Sequence, residues 1–468
     1  MLPISTRLFY GFGSVAYGVK DNGFSVFLLL YYNQVLGLPE RWVGLAILIA
    51  LVANALSDPV VGHVSDHLHS RWERRHPFLY ASALPVAVSY FFLWNPPPGL
   101  SQGELFAYLL ILAILIRTFI TFYEVPSSSL VPELTANYDE RTSILGLRYF
   151  FGWWGGLSMA VLAYAVFLRP DAEHPVGILN PEGWGRYGLA AALIMFGSIL
   201  VSAIGTHPYI PRLKPPPPSR PFDVRRAIEE FRESLSNRSF LALFAATVFA
   251  AMASGLGASL NLYVLTYFWE LTSGQISVLT MAAFASAAIA LVAAPAISRR
   301  MTKKRAAIMI AAFAFVIGPA PVMLRLAGFF PPKGSPALVP LLGAFYTVYI
   351  GLLITASILA ASMVADVVED SETSTGRRSE GIFFASLTFV GKCVSGLGVF
   401  LATVVLWIVG FPSGARPGEI DLAIVTRLAL VFVPVLALLH VGSLVCLLGY
   451  RIDRAAHEEN LRRLAATS

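Results

Sequence analysis

Apolar stretches of roughly twenty residues recur from one end of the chain to the other, separated by short polar breaks. Lipid offers the backbone no hydrogen-bond partners, so only helices and closed barrels cross it. A helix does so with about 20 predominantly apolar residues. The pattern predicts helices near 8–36, 42–66, 77–95, 104–131, 143–168, 187–209, 240–269, 275–298, 305–327, 337–368, 381–410 and 422–450. Breakers mark the connections: Asn95-Pro96-Pro97-Pro98-Gly99, Pro331-Pro332-Lys333-Gly334 and Pro412-Ser413-Gly414. Only 13% of the residues are charged, against about 25% in a soluble domain. That argues against a water-soluble enzyme, a disordered chain and a nucleic-acid partner. The net charge of +6 is better explained by loop arginines. Cys393 and Cys446 sit in apolar runs and read as small core residues, not as a disulfide or a metal site. The first apolar run carries Lys20 and Asp21, so it does not read as a cleavable signal peptide.

The longest polar stretch, 210–239, divides the chain six helices to six. It opens on Pro215 to Pro218 and continues with Val224, Ile228, Phe231 and Leu235 at helical spacing, the pattern of an amphipathic helix on a membrane surface. The expected domains are 1–209, a first six-helix bundle; 210–239, a linker; 240–454, a second bundle; and 455–468, a tail. Two related halves are the build of a transporter. With both termini cytoplasmic, the even-numbered loops and chain ends hold 23 of the 34 Lys and Arg, the odd loops hold six, and five lie within spans. This bias predicts N-in, C-in topology.

Ionisable groups at membrane depth cost about 2.5–3.5 kcal/mol each on insertion scales, so each asks for a reason. The first helix holds Lys20 and Asp21, about 100° apart on the helix, free to take different partners. The second carries Asn54, Asp58, Gly62 and Asp66 at i+4 steps on one face. Pro59 deprives the Ala55 carbonyl of its donor. An amide, a carboxylate and a free carbonyl within one turn suit Na+ or a proton; a kinked helix with a solvated acid is the plain alternative. On the fourth helix Arg117, Thr121, Glu124 and Ser128 share a face. Arg148 lies among the glycines of the fifth helix, within reach of Asp21 or Glu124, and Lys392 is the deep charge of the eleventh. Three acids (Asp21, Asp58, Glu124) and three bases (Lys20, Arg148, Lys392) fit a cavity for a polar solute. Arg117 and Arg427 receive no assignment. His63, His67 and His69 read as a solvated helix end, and no metal or other cofactor is expected beyond a coupling ion. No sequence signature of catalysis occurs.

The chain resembles the major facilitator superfamily. Gly62-His-Val-Ser-Asp66, then Arg71-Trp-Glu-Arg-Arg75, looks like the inner-loop motif between its second and third helices. More specific runs resemble the glycoside–pentoside–hexuronide:cation symporters, the melibiose permease group: Tyr17-Gly-Val-Lys20-Asp21; Asn54-Ala-Leu-Ser-Asp58-Pro59; Glu124-Val-Pro126 with Ser129-Leu-Val-Pro132; and Met363-Val-Ala-Asp366 through Thr375-Gly-Arg-Arg-Ser-Glu380 to Lys392. The resemblance implies an all-α polytopic membrane protein of 12 transmembrane helices in two six-helix bundles. It implies a monomeric transporter of a small-molecule solute in a lipid bilayer, expected in the bacterial inner membrane. It places the substrate on Lys20, Asp21, Glu124, Arg148 and Lys392. It places the coupling ion at Asn54, Asp58, Thr121 and Glu124, and a cytoplasmic gate at Gly62, Asp66, Arg71, Arg75, Asp366, Arg377 and Arg378.

There are departures. Asn54 stands where the group has an acid, leaving Na+ fewer hard ligands, while Asp58 alone suffices for a proton; H+ is favoured, with Na+ open. Glu124 stands where the group has Asp. Ser128 and Ser357 stand where sugar-binding members have tryptophans, with Trp153, Trp154 or Tyr349 as replacements. The expected function is cation-coupled symport of a glycoside or hexuronide. The alternatives are the same fold carrying a lysophospholipid or other amphiphile, and a membrane scaffold or sensor without transport.

Overall fold

A computed structural model describes residues 2–68, 70–135, 138–212, 237–375, 380–452 and 459, with some side chains inside these ranges, Asp66 among them, left out. The described residues are helical, without strands. The expected linker helix and Arg377 and Arg378 lie outside the described residues.

Among the described residues, eleven helices are long and apolar enough to cross a membrane. We number the twelve long helices of the described residues in chain order. They are α1 (4–35), α2 (Glu40–His67), α3 (His76–Leu93), α4 (Gln102–Leu134), α5 (Tyr138–Leu162), α6 (Pro181–Thr206), α7 (Arg238–Tyr263), α8 (Ser273–Arg300), α9 (303–326), α10 (Leu338–Thr375), α11 (Glu380–Val409) and α12 (Leu422–Leu448). Most lie within a few residues of their expected places, but α6 begins six residues before 187, α5 is shifted by five to six residues toward the N-terminus, and α10 runs seven residues past residue 368. Glu369, Asp370 and Glu372 end the apolar pattern there, but the backbone continues as helix. α1 is the departure from a plain span. It is assembled from Ile4–Phe12, Val15–Asn22 and Leu28–Leu30, with π-helical turns at Gly23–Phe27 and Tyr31–Val35. π-turns inside helices are frequent at functional sites.

The ends are set by ordinary capping chemistry. Ser101 and Glu104 close a capping box on α4, as do Thr272 and Gln275 on α8. The loop breakers carry the turns: Gly99 has φ +83° and Gly414 +69°, values that glycine adopts without a steric cost.

The packing of the second six helices repeats that of the first. α1 packs on α5, α2 on α4 and α3 on α6; α7 packs on α11, α8 on α10 and α9 on α12. Among the described residues, the two closest glycine-to-carbonyl approaches between helices correspond. A Cβ on Gly18 of α1 would lie 1.8 Å from the Gly152 carbonyl of α5. A Cβ on Gly255 of α7 would lie 1.9 Å from the Ser395 carbonyl of α11. Small residues allow this approach where lipid gives no hydrophobic drive between helices. Between the two sets, α2 meets α11, α5 meets α8 and α1 meets α7.

Candidate functional site

The deep charges converge from α1, α2, α4, α5 and α11. On α2 the i+4 spacing brings Asn54 and Asp58 together, and Asn54 Nδ2 donates to Asp58 Oδ2 at 3.2 Å. The Thr121 hydroxyl of α4 reaches across, 2.7 Å from Asp58 Oδ1 and 2.9 Å from the Arg117 carbonyl. Both oxygens of Asp58 therefore have a neighbouring donor, and Thr121 is buried. One turn further along α4, Glu124 forms an ion pair with Lys392 of α11. That pair joins the two sets of helices at membrane depth.

Two expected pairings come out differently. Lys20 and Asp21, free by their angle to take separate partners, form an ion pair with each other; the two side chains bend together although they leave the helix about 100° apart. Arg148 pairs with neither Asp21 nor the Glu124 carboxylate. It donates to the Tyr10 hydroxyl and Ser127 Oγ, each at 3.0 Å, and to the Glu124 backbone carbonyl at 3.1 Å. Its guanidinium lies over the Tyr17 ring, 5.4 Å from the centroid. Because Glu124 is taken by Lys392, Arg148 ties α5 to the α4 backbone. Arg117, left unassigned by the sequence, belongs to the site: it lies over the Phe24 ring at 4.9 Å with its Nε buried and without an acceptor.

The site is reachable. The Asp21 side chain is 57% exposed and that of Lys392 44%, whereas Lys20 is 8% exposed. Charges at this depth face water or the bundle interior, and the side chains of Asp21 and Lys392 are not packed into protein. Ser128 and Ser357 both turn their hydroxyls back onto their own helices, to Val125 O at 2.8 Å and Leu353 O at 3.0 Å. Of the aromatic replacements, Trp154 packs edge-on against Phe284 of α8, centroids 4.5 Å apart. Trp153 packs against the same ring at 6.5 Å. Tyr349 packs beside Gly318, between α9 and α10.

At the end of the bundle marked by the α2–α3 loop, the expected gate residues have partners that the sequence does not single out. Arg75 donates to Ser65 Oγ at 2.8 Å, and Arg74 and Arg75 lie 2.6 and 3.4 Å from Glu133 of α4. Arg71 lies over the ring of its neighbour Trp72 at 5.2 Å. Gly62 faces Val125 of α4. Asp366 pairs with Lys303 at 2.6 Å and accepts from the Tyr450 hydroxyl at 3.3 Å. Burial and the neighbouring Asp366 push the Tyr450 phenol well above its ordinary pKa.

The opposite end holds a latch that sequence reasoning misses. Asn33 and Gln34 of α1 are buried. Asn33 Nδ2 donates to Ser413 Oγ at 3.0 Å, and the Gly414 N–H donates to the Asn33 carbonyl at 3.1 Å. The Tyr263 hydroxyl donates to Asn33 Oδ1 at 2.9 Å. The Tyr267 hydroxyl lies 3.0 Å from Gln34 Oε1 and 2.9 Å from the Ala415 carbonyl. The latch joins α1 to α7 and to the α11–α12 loop. Its groups are uncharged, so no cost of insertion draws attention to them. The one signal is a pair of adjacent amides at the end of an apolar run.

Comparison with known proteins agrees with this architecture. The family model described as MFS/sugar transport protein matches residues 9–454. An uncharacterized symporter of Synechocystis, sll1374, is 25% identical, covering 99% of this chain and 97% of its own length. The isoprimeverose transporter of Lactiplantibacillus pentosus is 24% identical over 97% of this chain and 90% of its own. The xylose transporter XylE from E. coli, in a partially occluded inward-open form, shares the fold. Its TM-score is 0.61 at 12% identity, over 96% of this chain and 98% of that one.

Proposed function

The chain belongs to the MFS/sugar transport protein family, and from that membership we propose that it is a cation-coupled symporter of a polar organic solute, a glycoside or hexuronide. It is an integral membrane transporter of the symporter kind and not an enzyme. The observation that carries the finer reading is the Glu124–Lys392 ion pair between the two helix sets, one turn of α4 from the Asn54–Asp58–Thr121 cluster. A solute entering between Glu124 and Lys392 competes for their charges. A cation arriving at Asp58 acts on the same helix.

In this reading Lys20, Asp21, Glu124, Arg148 and Lys392 line the solute site, and Arg148 also sets the position of Glu124 through its backbone carbonyl. Asn54, Asp58 and Thr121 form the ion site. Asp58 is its single carboxylate and favours H+ over Na+, which prefers several hard oxygen ligands. Residues 1–209 and 240–454 act as two units that rock about the site, a division supported by their repeated helix pairing. The Arg74–Arg75–Glu133 and Lys303–Asp366 contacts serve the cytoplasmic gate, and the Asn33–Gln34–Tyr263–Tyr267 latch serves the outer one. Coupling then requires solute and ion each to raise the other's affinity by the same factor. Both termini lie in the cytoplasm, the membrane is the bacterial inner membrane, and the working unit is a monomer.

A thermal-shift screen of the purified protein tests the substrate class. Glycosides, pentosides, hexuronates and lysophospholipids are each added at acid and neutral pH, with and without Na+. A ligand at a hundredfold excess over its Kd stabilises by about 2.7 kcal/mol. A shift with one sugar class that grows at low pH and ignores Na+ is expected. A shift confined to lysolipids would overturn the sugar reading and assign the serines at 128 and 357 to a lipid-carrying pocket.

A further inference from the structure

A cavity of about 490 Å³ with charged walls lies at the latch end of the C-terminal helices, between the end of α7, the end of α9 and the start of α12. Its walls include Tyr267, Glu270, Arg325, Lys333, Leu422 and Thr426. It stands apart from the central site, whose charges come from α1, α2, α4, α5 and α11.

Arg325 is the reason to expect a ligand there. Its guanidinium is held over two rings at once, 4.5 Å from the centroid of Phe268 and 4.6 Å from that of Trp269. Its Nη1 is buried without an acceptor. The neighbouring carboxylate forms no ion pair with it: Glu270 is engaged by Lys333, and no carboxylate among the described residues lies within ion-pair distance of Arg325. Glu270 is also held at φ +52°, one of two non-glycine residues in the left-handed region among those described. Backbone strain of this kind collects at ligand sites. Two cations and one anion leave the cavity one positive charge in excess. A guanidinium presents a fork of donors that matches an oxyanion, and the Thr426 hydroxyl adds a donor on the same wall. Of the lining residues, Leu422 is 72% exposed, apolar surface of the kind that faces lipid chains.

We propose that this cavity binds the phosphate oxyanion of an anionic membrane lipid, with Arg325 as the principal donor, Lys333 and Thr426 beside it, and the acyl chains lying along Leu422. The site is independent of the solute and ion sites. Tyr267, whose hydroxyl closes the latch, forms one of its walls.

The test uses the full-length protein in nanodiscs of phosphatidylcholine alone and of phosphatidylcholine mixed with phosphatidylglycerol. The expected result is a rise of several degrees in the unfolding midpoint with phosphatidylglycerol. Arg325→Gln should lose most of that rise. Lys333→Gln should lose it too, because Glu270 is then released to Arg325; this second variant answers the question if Arg325→Gln folds poorly. Inorganic phosphate added to phosphatidylcholine discs separates the sources. No effect of phosphate supports the lipid. A phosphate-induced rise, absent in Arg325→Gln, with no response to phosphatidylglycerol would overturn the lipid assignment in favour of a soluble oxyanion. An equal response of the wild type and both variants to phosphatidylglycerol would overturn the site itself.

Discussion

Glu124 and Lys392 are 268 positions apart in sequence and meet as the ion pair on which the proposed transport cycle turns. Lys392 is 44% exposed, and solvent screening limits such pairs to about 1 kcal/mol. A purely structural role would therefore be a minor one. Lys392→Gln and Glu124→Gln should each shift stability by no more than about 1 kcal/mol. Each should lower solute uptake more than tenfold, read from initial rates alongside the unfolding midpoint. Unchanged uptake in both variants would remove the pair from the solute site. Residues of this kind are legible in the amino-acid sequence, because a charge in an apolar run is conspicuous. Their partners are less so. Asp21 meets Lys20, and Arg148 meets a tyrosine, a serine and a carbonyl, because pairing depends on side-chain reach across helices that one sequence does not specify. Arg117 is visible as a charge, but its place over Phe24 is not.

The helices themselves follow from apolar length, and their ends from Ser101, Thr272 and the glycine turns. What the pattern does not reveal is how α1 breaks into α- and π-helical turns, since its residues remain apolar through most of Phe24–Leu30 whatever their hydrogen-bond register. Close contact between helices is likewise set by single glycines. Gly18→Ala would press a methyl group into the Gly152 carbonyl, whereas a Cβ on Gly146 of the same partner helix meets nothing within 4 Å. Gly18→Ala should cost roughly 1–3 kcal/mol, the usual range for overpacking. Gly146→Ala should be neutral or stabilising by up to about 1 kcal/mol. Unfolding midpoints of the two variants check this, and equal behaviour would show that α1 and α5 can separate freely. The latch makes an element-level prediction of its own. Tyr267→Phe removes the hydroxyl near both Gln34 and Ala415. It should leave solute binding intact while raising the labelling rate of a cysteine placed at Ser413 by several-fold. No change in labelling would mean that the remaining Asn33 and Tyr263 bonds hold that end closed by themselves.

At the scale of the whole molecule, the latch holds one end shut while the charged centre stays reachable. Transport requires the opposite arrangement in turn, and a symporter permits the exchange only when solute and cation are both present or both absent. The most direct test is uptake into proteoliposomes of the solute found by the thermal-shift screen, under an imposed proton gradient and, separately, a Na+ gradient. The wild type should accumulate solute above the outside concentration under the proton gradient. Asp58→Asn should still exchange labelled for unlabelled solute but bring it only to equality. Accumulation by Asp58→Asn equal to that of the wild type would contradict proton coupling at Asp58, because the ion would then be coupled at a site that does not include this carboxylate.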